Sequence, residues 1–332
     1  MIELIFTIDY EIYGNGGGSL RELVFEPAAR LQEVFRKRKI RFVPFVEVAE
    51  LETIEAHGTD PAIDLVKQQI RDFYDEGFSP ALHLHPQWYK ARREEGKWRL
   101  DYSEYNLCIL PLERITQIVD RSLTYLREVL RRPDFTPFAF RAGNWLFQPT
   151  QPAARVLAQR GIRVDSSVYK GGVNRQHKLD YRGARRNGYY WRFTERAESA
   201  SPAGSLLEVP IYTEMVPAWR MLTRKRIGLQ QRGASVAADT STKLLSRRLL
   251  DFLRLWYPLK LDFCRMTIHE LTHIVDTVIL EDRKHPTSFR PLVAIGHTKD
   301  LIDLETVEAF LAYLDEKGIA VSTFEDVYPR CE

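Results

Sequence analysis

The sequence has few cysteines and no long apolar segment. Its three cysteines, Cys108, Cys264 and Cys331, are odd in number and widely scattered, which argues against a disulfide framework and favours a reducing compartment. No apolar run approaches the roughly 18 residues that a membrane-spanning helix requires. The sequence also starts directly on a strand-like run, without the basic segment and cleavage site of a signal peptide. We therefore expect a cytoplasmic protein.

The charge of the chain is nearly balanced, with a net charge of +3 at pH 7, but it is unevenly distributed. From Trp219 to Lys260, ten Lys or Arg residues stand against two acids, and aromatic and aliphatic residues lie between them. Such a segment has two interpretations. It either contacts an anionic membrane or a phosphorylated carrier, or it is a helical excursion packed on the main domain with a solvated basic face.

Strand-like runs and segments of helical spacing alternate along almost the whole chain. This alternation predicts parallel strands with right-handed crossovers, and seven or eight repeats favour a closed barrel over an open sheet. We predict one domain over residues 1–332, with a basic amphipathic excursion at about 216–260. The predicted strands are Ile2–Ile8, Phe42–Val48, Pro80–His85, Pro137–Arg141, Ile162–Val168, Leu206–Tyr212, Leu261–Phe263, Leu292–His297 and Ala320–Phe324. The predicted helices are Pro27–Lys39, Pro61–Gly77, Leu112–Leu130, Thr150–Gly161, Ile268–Leu280 and Leu304–Gly318.

The first predicted strand ends in two carboxylates. The run MIELIFTIDYE is apolar and β-rich as far as Ile8 and then presents Asp9 and Glu11. Residues at i and i+2 of an extended chain point to the same face, so the two carboxylates can converge on one spot. In parallel α/β proteins chemistry gathers at the carboxyl ends of the strands. Two solvated acids at a strand exit are the alternative interpretation.

Other predicted strands also end in polar residues. His83 and His85 alternate with leucines, so both imidazoles face the same way. With a carboxylate opposite, they form a two-histidine, one-carboxylate site that suits zinc or another divalent first-row metal. A surface or core histidine pair is the alternative. The strand ends that carry polar side chains are Asp9–Glu11, His83–His85, Arg141–Trp145, Asp165 and His297.

Five short motifs, in fixed order and over almost the whole chain, resemble those of the polysaccharide deacetylases with the NodB-homology domain. They are the TIDYE run at Asp9, the HLHPQ run at His83, FRAGNW at Arg141, VDSSVY at Asp165 and VAIGH at His297. The resemblance implies a distorted (β/α)7-type barrel, here with excursions after the fifth and sixth strands. It also implies a metal-dependent hydrolase, with zinc as the expected metal.

The resemblance implies a role for each matched residue. Asp9 is the expected catalytic base and Glu11 a metal ligand. Arg141 is expected to tether the base and keep it ionised, and the loop to Trp145 is expected to supply an oxyanion donor, typically worth about 3 kcal/mol.

The fourth and fifth motifs complete the expected catalytic set with Asp165 and His297. His297 is expected to protonate the leaving amine. A carboxylate such as Asp165 within reach would raise the pKa of this imidazole.

The second motif departs from the pattern of the family. The family carries two histidines four residues apart, and His83 matches the first, but Gln87 stands at the second place. His85 is the expected substitute ligand. The departure leaves a non-catalytic relative that binds a glycan without metal as an open alternative.

The substrate class also comes from the resemblance. It implies removal of an N-acetyl-type group from an amino sugar during surface-polysaccharide or lipopolysaccharide assembly. Trp88, Asn144 and Trp145 are the expected substrate-binding residues, and rim packing is the alternative interpretation of each indole. We expect a nucleotide- or lipid-linked sugar on the cytoplasmic side, a peripheral contact of the basic excursion with the anionic inner face of the membrane, and no nucleic-acid partner.

A different motif, HExxH, competes with the deacetylase interpretation. His269, Glu270 and His273 match HExxH, the zinc-protease motif, which places both histidines on one face of a helix. However, Thr267 and Glu270 also form a capping-box pattern at the start of the same helix. The capping box gives Glu270 a structural role, so a metalloprotease is the less favoured alternative.

Overall fold

The computed structural model of the protein describes residues 1–185, 190–236, 256–286 and 288–331. Its central sheet has the strand order β10-β11-β7-β6-β3-β2-β1-β14, with β15 paired to the start of β1, and only the β10–β11 pair is antiparallel. The strands of the described residues are β1 (Ile2–Tyr10), β2 (Val43–Glu47), β3 (Ala81–Leu84), β4 (Arg92–Glu94), β5 (Lys97–Arg99), β6 (Ala139–Ala142), β7 (Val164–Asp165), β8 (Val173–Asn174), β9 (Leu179–Asp180), β10 (Trp191–Phe193), β11 (Leu206–Glu208), β12 (Thr213–Pro217), β13 (Trp256–Lys260), β14 (Arg290–His297) and β15 (Ala320–Val321).

Helices connect the parallel strands, as the alternating pattern predicts. Within the described residues the α-helices are α1 (Glu26–Lys37), α2 (Val48–Ala56), α3 (Ile63–Asp75), α4 (Leu112–Leu130), α5 (Gln151–Gln159), α6 (Arg224–Val236), α7 (Ile268–Lys284), α8 (Leu304–Lys317) and α9 (Phe324–Val327). None of them is long and apolar enough to cross a membrane.

The sheet curls so that its strands have an outer and an enclosed face. The even-numbered residues 4–10 of β1 lie in the large apolar cluster that includes the helices. Ile5 lies instead in a smaller cluster enclosed by the sheet. Because residues two apart share a face, Asp9 and Glu11 continue the enclosed face at the carboxyl end of β1.

Two short segments connect the edges of the curled sheet between β11 and β14. Ile211 forms a parallel bridge with Val293 of β14, and Asp262 forms another with Ile295. The result is the predicted distorted barrel of the (β/α)7 type.

The structure departs from the predicted elements in several places. The seven-residue strand predicted at Ile162–Val168 is confined to Val164–Asp165, and the strand predicted at Leu261–Phe263 is only the bridge at Asp262. Phe324 begins a short helix with a Thr323 capping box, so the last predicted strand ends at Val321.

The basic excursion is described at both of its ends, and residues 237–255 lie outside the described residues. Lys225 pairs with Asp303 at 2.9 Å, and Arg226 pairs with Glu270 at 2.8 Å. These cations are held by the main domain, which favours the packed-excursion interpretation for this part of the segment.

Candidate functional site

Six of the predicted site residues meet at the carboxyl ends of neighbouring parallel strands. The strand register pairs Asp9 with His297 across β1 and β14, and His83 with Arg141 across β3 and β6. Glu11 and His85 follow directly after β1 and β3. All six side chains are buried, and the register explains why residues up to 288 positions apart lie together.

Glu11, His83 and His85 form a candidate metal site. Glu11 Oε2 lies 3.1 Å from His85 Nε2 and 3.4 Å from His83 Nε2, and the candidate ligand atoms all lie within 4.8 Å of one another. Asp9, Glu11 and His297 form a second group within the same limit. Both groups share Glu11, so they describe one centre.

The hydrogen bonds of His83 show that this centre suits a cation. His83 Nδ1 lies 2.8 Å from the Arg141 carbonyl oxygen and must donate to it, because a carbonyl accepts only. Nε2 then faces Glu11 Oε2 at 3.4 Å and Asp9 Oδ2 at 4.0 Å, where it can carry a proton or offer its lone pair to a metal ion. Burial lowers the pKa of this imidazole, but the two carboxylates outweigh burial and raise it. The same electrostatics favour a divalent metal, and carbonyl-bound histidines are common metal ligands.

His85 is oriented by its neighbours. Its backbone N–H donates to Glu47 Oε1 at 2.7 Å, and its Nδ1 lies 3.2 Å from Asn144 Nδ2 and 3.3 Å from Gln87 Nε2. Gln87 Oε1 is buried without a hydrogen-bond partner. If the Gln87 amide is turned over, this oxygen accepts from Nδ1–H, and His85 Nε2 is left free to bind a metal.

Arg141 holds Asp9 in its ionised form. Nη1 of the buried guanidinium donates to Asp9 Oδ1 at 2.5 Å, Nη2 donates to Thr7 Oγ1 at 3.0 Å, and Nε donates to the Ser166 carbonyl at 2.9 Å. Burial alone would raise the pKa of Asp9, but the charges of Arg141, His83 and His297 lower it. Asp9 is therefore an ionised carboxylate with one oxygen, Oδ2, on the side of the histidines.

His297 lies between two carboxylates, neither of which is Asp165. Its Nε2 is 3.4 Å from Asp9 Oδ2, and its Nδ1 is 3.9 Å from Asp300 Oδ2. Burial lowers the pKa of His297, and Asp9 and Asp300 only partly offset this effect. Nearby carboxylates do raise this pKa, as expected, but they are Asp9 and Asp300 instead of Asp165, and burial outweighs them.

Asp165 interacts with Glu208 and Ser167 and not with His297. Strand register places it opposite Glu208, and its carboxylate accepts from Ser167 Oγ at 2.7 Å. Burial raises the pKa of both Asp165 and Glu208, each of which also interacts with the other. We infer that this pair shares a proton and supports the loop after β7.

The structure adds Lys299, which the sequence reasoning missed. Its Nζ donates to Glu11 Oε1 at 2.6 Å and to the Ile12 carbonyl at 3.1 Å. Burial would raise the pKa of Glu11, but Lys299 and His85 lower it well below its ordinary value. The signal in the sequence is the polar run HTKD, which begins at the last residue of β14 and supplies His297, Lys299 and Asp300.

The predicted sugar-binding residues have different surroundings from those expected. Trp88 is 1% exposed and packs edge-on against Trp98, so it has no face for a sugar, and the prediction is wrong. Asn144 is directed to His85. Trp145 is half-buried, and Lys260 Nζ lies 3.4 Å from the centre of its ring, which covers one face of the indole.

The backbone around Trp145 is specialised for close approach. Asn144 and Trp145 both have positive φ, 53° and 59°, a conformation that costs energy outside glycine. A Cβ on Gly143 would lie 2.5 Å from the Leu84 carbonyl oxygen and 2.8 Å from the His85 ring. The sequence FRAGNW therefore brings this loop directly against the candidate ligand.

The HELTH segment does not form a metal site with the described residues. His269 and His273 are both exposed, and neither belongs to a group of candidate ligands. Glu270 completes the capping box: its Oε2 accepts from the Thr267 N–H at 2.9 Å, and its Oε1 accepts from Arg226 at 2.8 Å. The structural role predicted for Glu270 is confirmed.

A scan against family models and a search among curated proteins found no match to this chain. Solved structures do match. A protein from Mycobacterium smegmatis proposed to be a polysaccharide deacetylase has 13% identity and a TM-score of 0.52, and the match covers 99% of this chain and 90% of that one. A second protein proposed to be such a deacetylase, from Pseudomonas aeruginosa, has 13% identity and a TM-score of 0.50, with 98% and 89% covered. Puue allantoinase has 12% identity and a TM-score of 0.50, with 98% and 88% covered.

The chain therefore has the NodB-type barrel fold of the polysaccharide deacetylases, in a sequence-divergent form. The resemblance predicted from the five motifs is confirmed at the level of the fold. Since an allantoinase has this fold as well, the fold does not name the substrate.

Proposed function

We propose that the protein is a metal-dependent hydrolase that removes an N-acetyl-type group from an amino sugar. The observation that carries the proposal is the centre at the barrel mouth, where Glu11, His83 and His85 offer three ligand atoms beside the pair of Asp9 and Arg141. A two-histidine, one-carboxylate set with further open positions is typical of hydrolytic zinc sites, so zinc is the proposed metal.

Held by Glu11, His83 and His85, a divalent metal would lower the pKa of water toward 7 from about 16 and would polarise the amide carbonyl. Asp9 is ionised and accepts the proton of the attacking water. His297 Nε2, 3.4 Å from Asp9 Oδ2, takes that proton and donates it to the nitrogen that leaves as an amine. Burial lowers the pKa of His297, and in this route the imidazole receives its proton from Asp9, so the route does not depend on an imidazolium in the free protein.

An N-acetylated amino sugar agrees with the five motifs, and a nucleotide- or lipid-linked form for surface-polysaccharide assembly is our finer proposal. Incubation of the metal-loaded protein with N-acetylglucosamine oligomers and with UDP-N-acetylglucosamine tests it through acetate release. We expect release by the wild type and a loss of at least a hundredfold in Asp9→Asn, since a general base contributes about 10²–10⁴-fold. No acetate from any N-acetyl sugar would overturn the proposed substrate class.

A non-catalytic glycan-binding protein is the second candidate, and Lys299 is the observation that favours it. This ammonium already occupies one oxygen of Glu11, so it competes with a metal for the same carboxylate. Its charge would weaken metal binding by repulsion. Glycan binding that is equally tight with and without added metal, together with no hydrolysis, would support this candidate.

A further inference from the structure

Lys260 is a cation with an incomplete set of partners beside the proposed site. It ends β13, is half-buried, and its Nζ lies 3.4 Å from the ring centre of Trp145 and 4.4 Å from that of Tyr169. Within the described residues its Nζ has no hydrogen bond and no ion pair. By contrast, nearby Arg265 pairs with Asp300 at 2.6 Å.

The position of Lys260 connects the candidate metal centre to a cavity. Trp145, on which its ammonium lies, also packs edge-on against His297, with ring centres 6.2 Å apart. On its other side Lys260 lines a cavity of about 390 Å³. Asp262 and Arg265 also line this cavity.

The surroundings of Lys260 leave its charge poorly compensated. Burial lowers the pKa of Lys260 to about 7, although Asp262 and Asp9 attract the ammonium, while Arg265 and Arg141 repel it. Two aromatic faces stabilise an ammonium but accept no ordinary hydrogen bond. An anionic oxygen placed beside Nζ would supply the missing acceptor and favour the charged form.

We propose that Lys260 binds an anionic group of the substrate, a phosphate or carboxylate carried by the amino sugar, and that the adjoining cavity accommodates what is attached to that group. The inference rests on the proposed function, because it names the class of sugar that the site takes. It also gives the half-covered indole of Trp145 a role: the ring positions the ammonium between the reacting centre and the cavity.

Calorimetric titration of three probes tests the proposal. N-acetylglucosamine 1-phosphate carries a phosphate, N-acetylmuramic acid carries a carboxylate, and N-acetylglucosamine is neutral. We expect at least one anionic probe to bind the wild type about 10- to 100-fold more tightly than the neutral sugar, the range of a charged hydrogen bond. Lys260→Met should abolish this preference, and Lys260→Arg should restore it. The probe that gains affinity identifies the anionic group.

The pH dependence separates a binding role from a purely structural stack. At pH 8 the free Lys260 is mostly neutral, so an anion that binds it must draw a proton from the buffer. We expect proton uptake in buffers of different ionisation enthalpy, and an affinity that weakens from pH 6.5 to 8.5 in the wild type but not in Lys260→Arg. This comparison holds even if Lys260→Met fails to fold.

Two controls distinguish anion binding by Lys260 from anion binding by a metal, and this proposal from the proposed function. The titrations are repeated with His83→Ala, so that an anion held by a metal ion is distinguished from one held by Lys260. Equal affinity for all three probes, or a preference unchanged in Lys260→Met, would overturn the proposal. The proposed function would still stand if deacetylation is observed. Lys260-dependent anion binding without hydrolysis would instead overturn the proposed function and keep the binding site.

Discussion

Replacement of Arg141 by Met tests the electrostatic core of the site. Met keeps an unbranched apolar chain near the Phe45 ring, on which the guanidinium now lies at 4.0 Å, but it leaves Asp9 buried without its cation. Removing one partner of a buried ion pair costs about 3–5 kcal/mol. We expect a loss of this size in the free energy of unfolding at pH 7.

The pH dependence of this loss has a defined sign. In the wild type the pKa of Asp9 is below its ordinary value of 3.8, so its contribution to stability is present above that value and is lost as the pH falls through the lower folded pKa. Without Arg141, burial dominates and raises the pKa of Asp9. The variant then binds a proton on acidification, and its deficit relative to the wild type should shrink between pH 7 and pH 5.

Urea unfolding at pH 7 and pH 5 measures both effects. Arg141→Met is compared with Asp9→Asn and with the double variant, which removes both charges. The double variant should be more stable than Arg141→Met alone, because the unpaired buried carboxylate is gone. A cost below about 1 kcal/mol, the level of an exposed ion pair, or a deficit that is the same at both pH values, would refute the reasoning.

Three further substitutions test individual contacts. Gly143→Ala places a methyl group against the ring of His85, a candidate metal ligand. We expect metal affinity, measured by competition titration with a chelating dye, to fall about 10- to 100-fold, as is typical when a residue that orients a metal ligand is changed. An unchanged affinity would contradict this role of Gly143. Trp88 is buried, so Trp88→Phe should lower the free energy of unfolding by about 1–3 kcal/mol and leave KM unchanged. A raised KM with unchanged stability would instead support a sugar-binding role for Trp88. Glu270→Gln weakens a helix cap and an ion pair with Arg226, so we expect a loss of about 1–2 kcal/mol with metal content unchanged; loss of metal would favour the protease motif.

The fold could be predicted where apolar periodicity was strong. The helix Leu112–Leu130 has the predicted bounds because it buries one stripe and exposes the other. The helix Val48–Ala56 was missed because its buried residues include Glu50 and Thr53, so its apolar and polar positions do not separate into two faces. Its first turn is capped by Glu47, a residue of the preceding strand. Short bridges such as that of Asp262 depend on barrel closure, which local sequence does not report.

The residues of the candidate site that lie at the ends of strands could be predicted from the sequence. Alternation along a strand was enough to place Asp9 with Glu11 and His83 with His85. The partners of these residues were not predictable, because they come from distant segments: Lys299 reaches Glu11 across 288 positions. Likewise, the pairing of β7 with β11 puts Glu208 opposite Asp165, and no local pattern in the sequence specifies that register.

The central claim is that Glu11, His83 and His85 bind a metal. Elemental analysis of purified wild type, His83→Ala and His269→Ala tests it most directly. We predict about one equivalent of divalent metal in the wild type, retained in His269→Ala and lost in His83→Ala. Loss only in His269→Ala, or no metal in any sample after reconstitution, would contradict the claim.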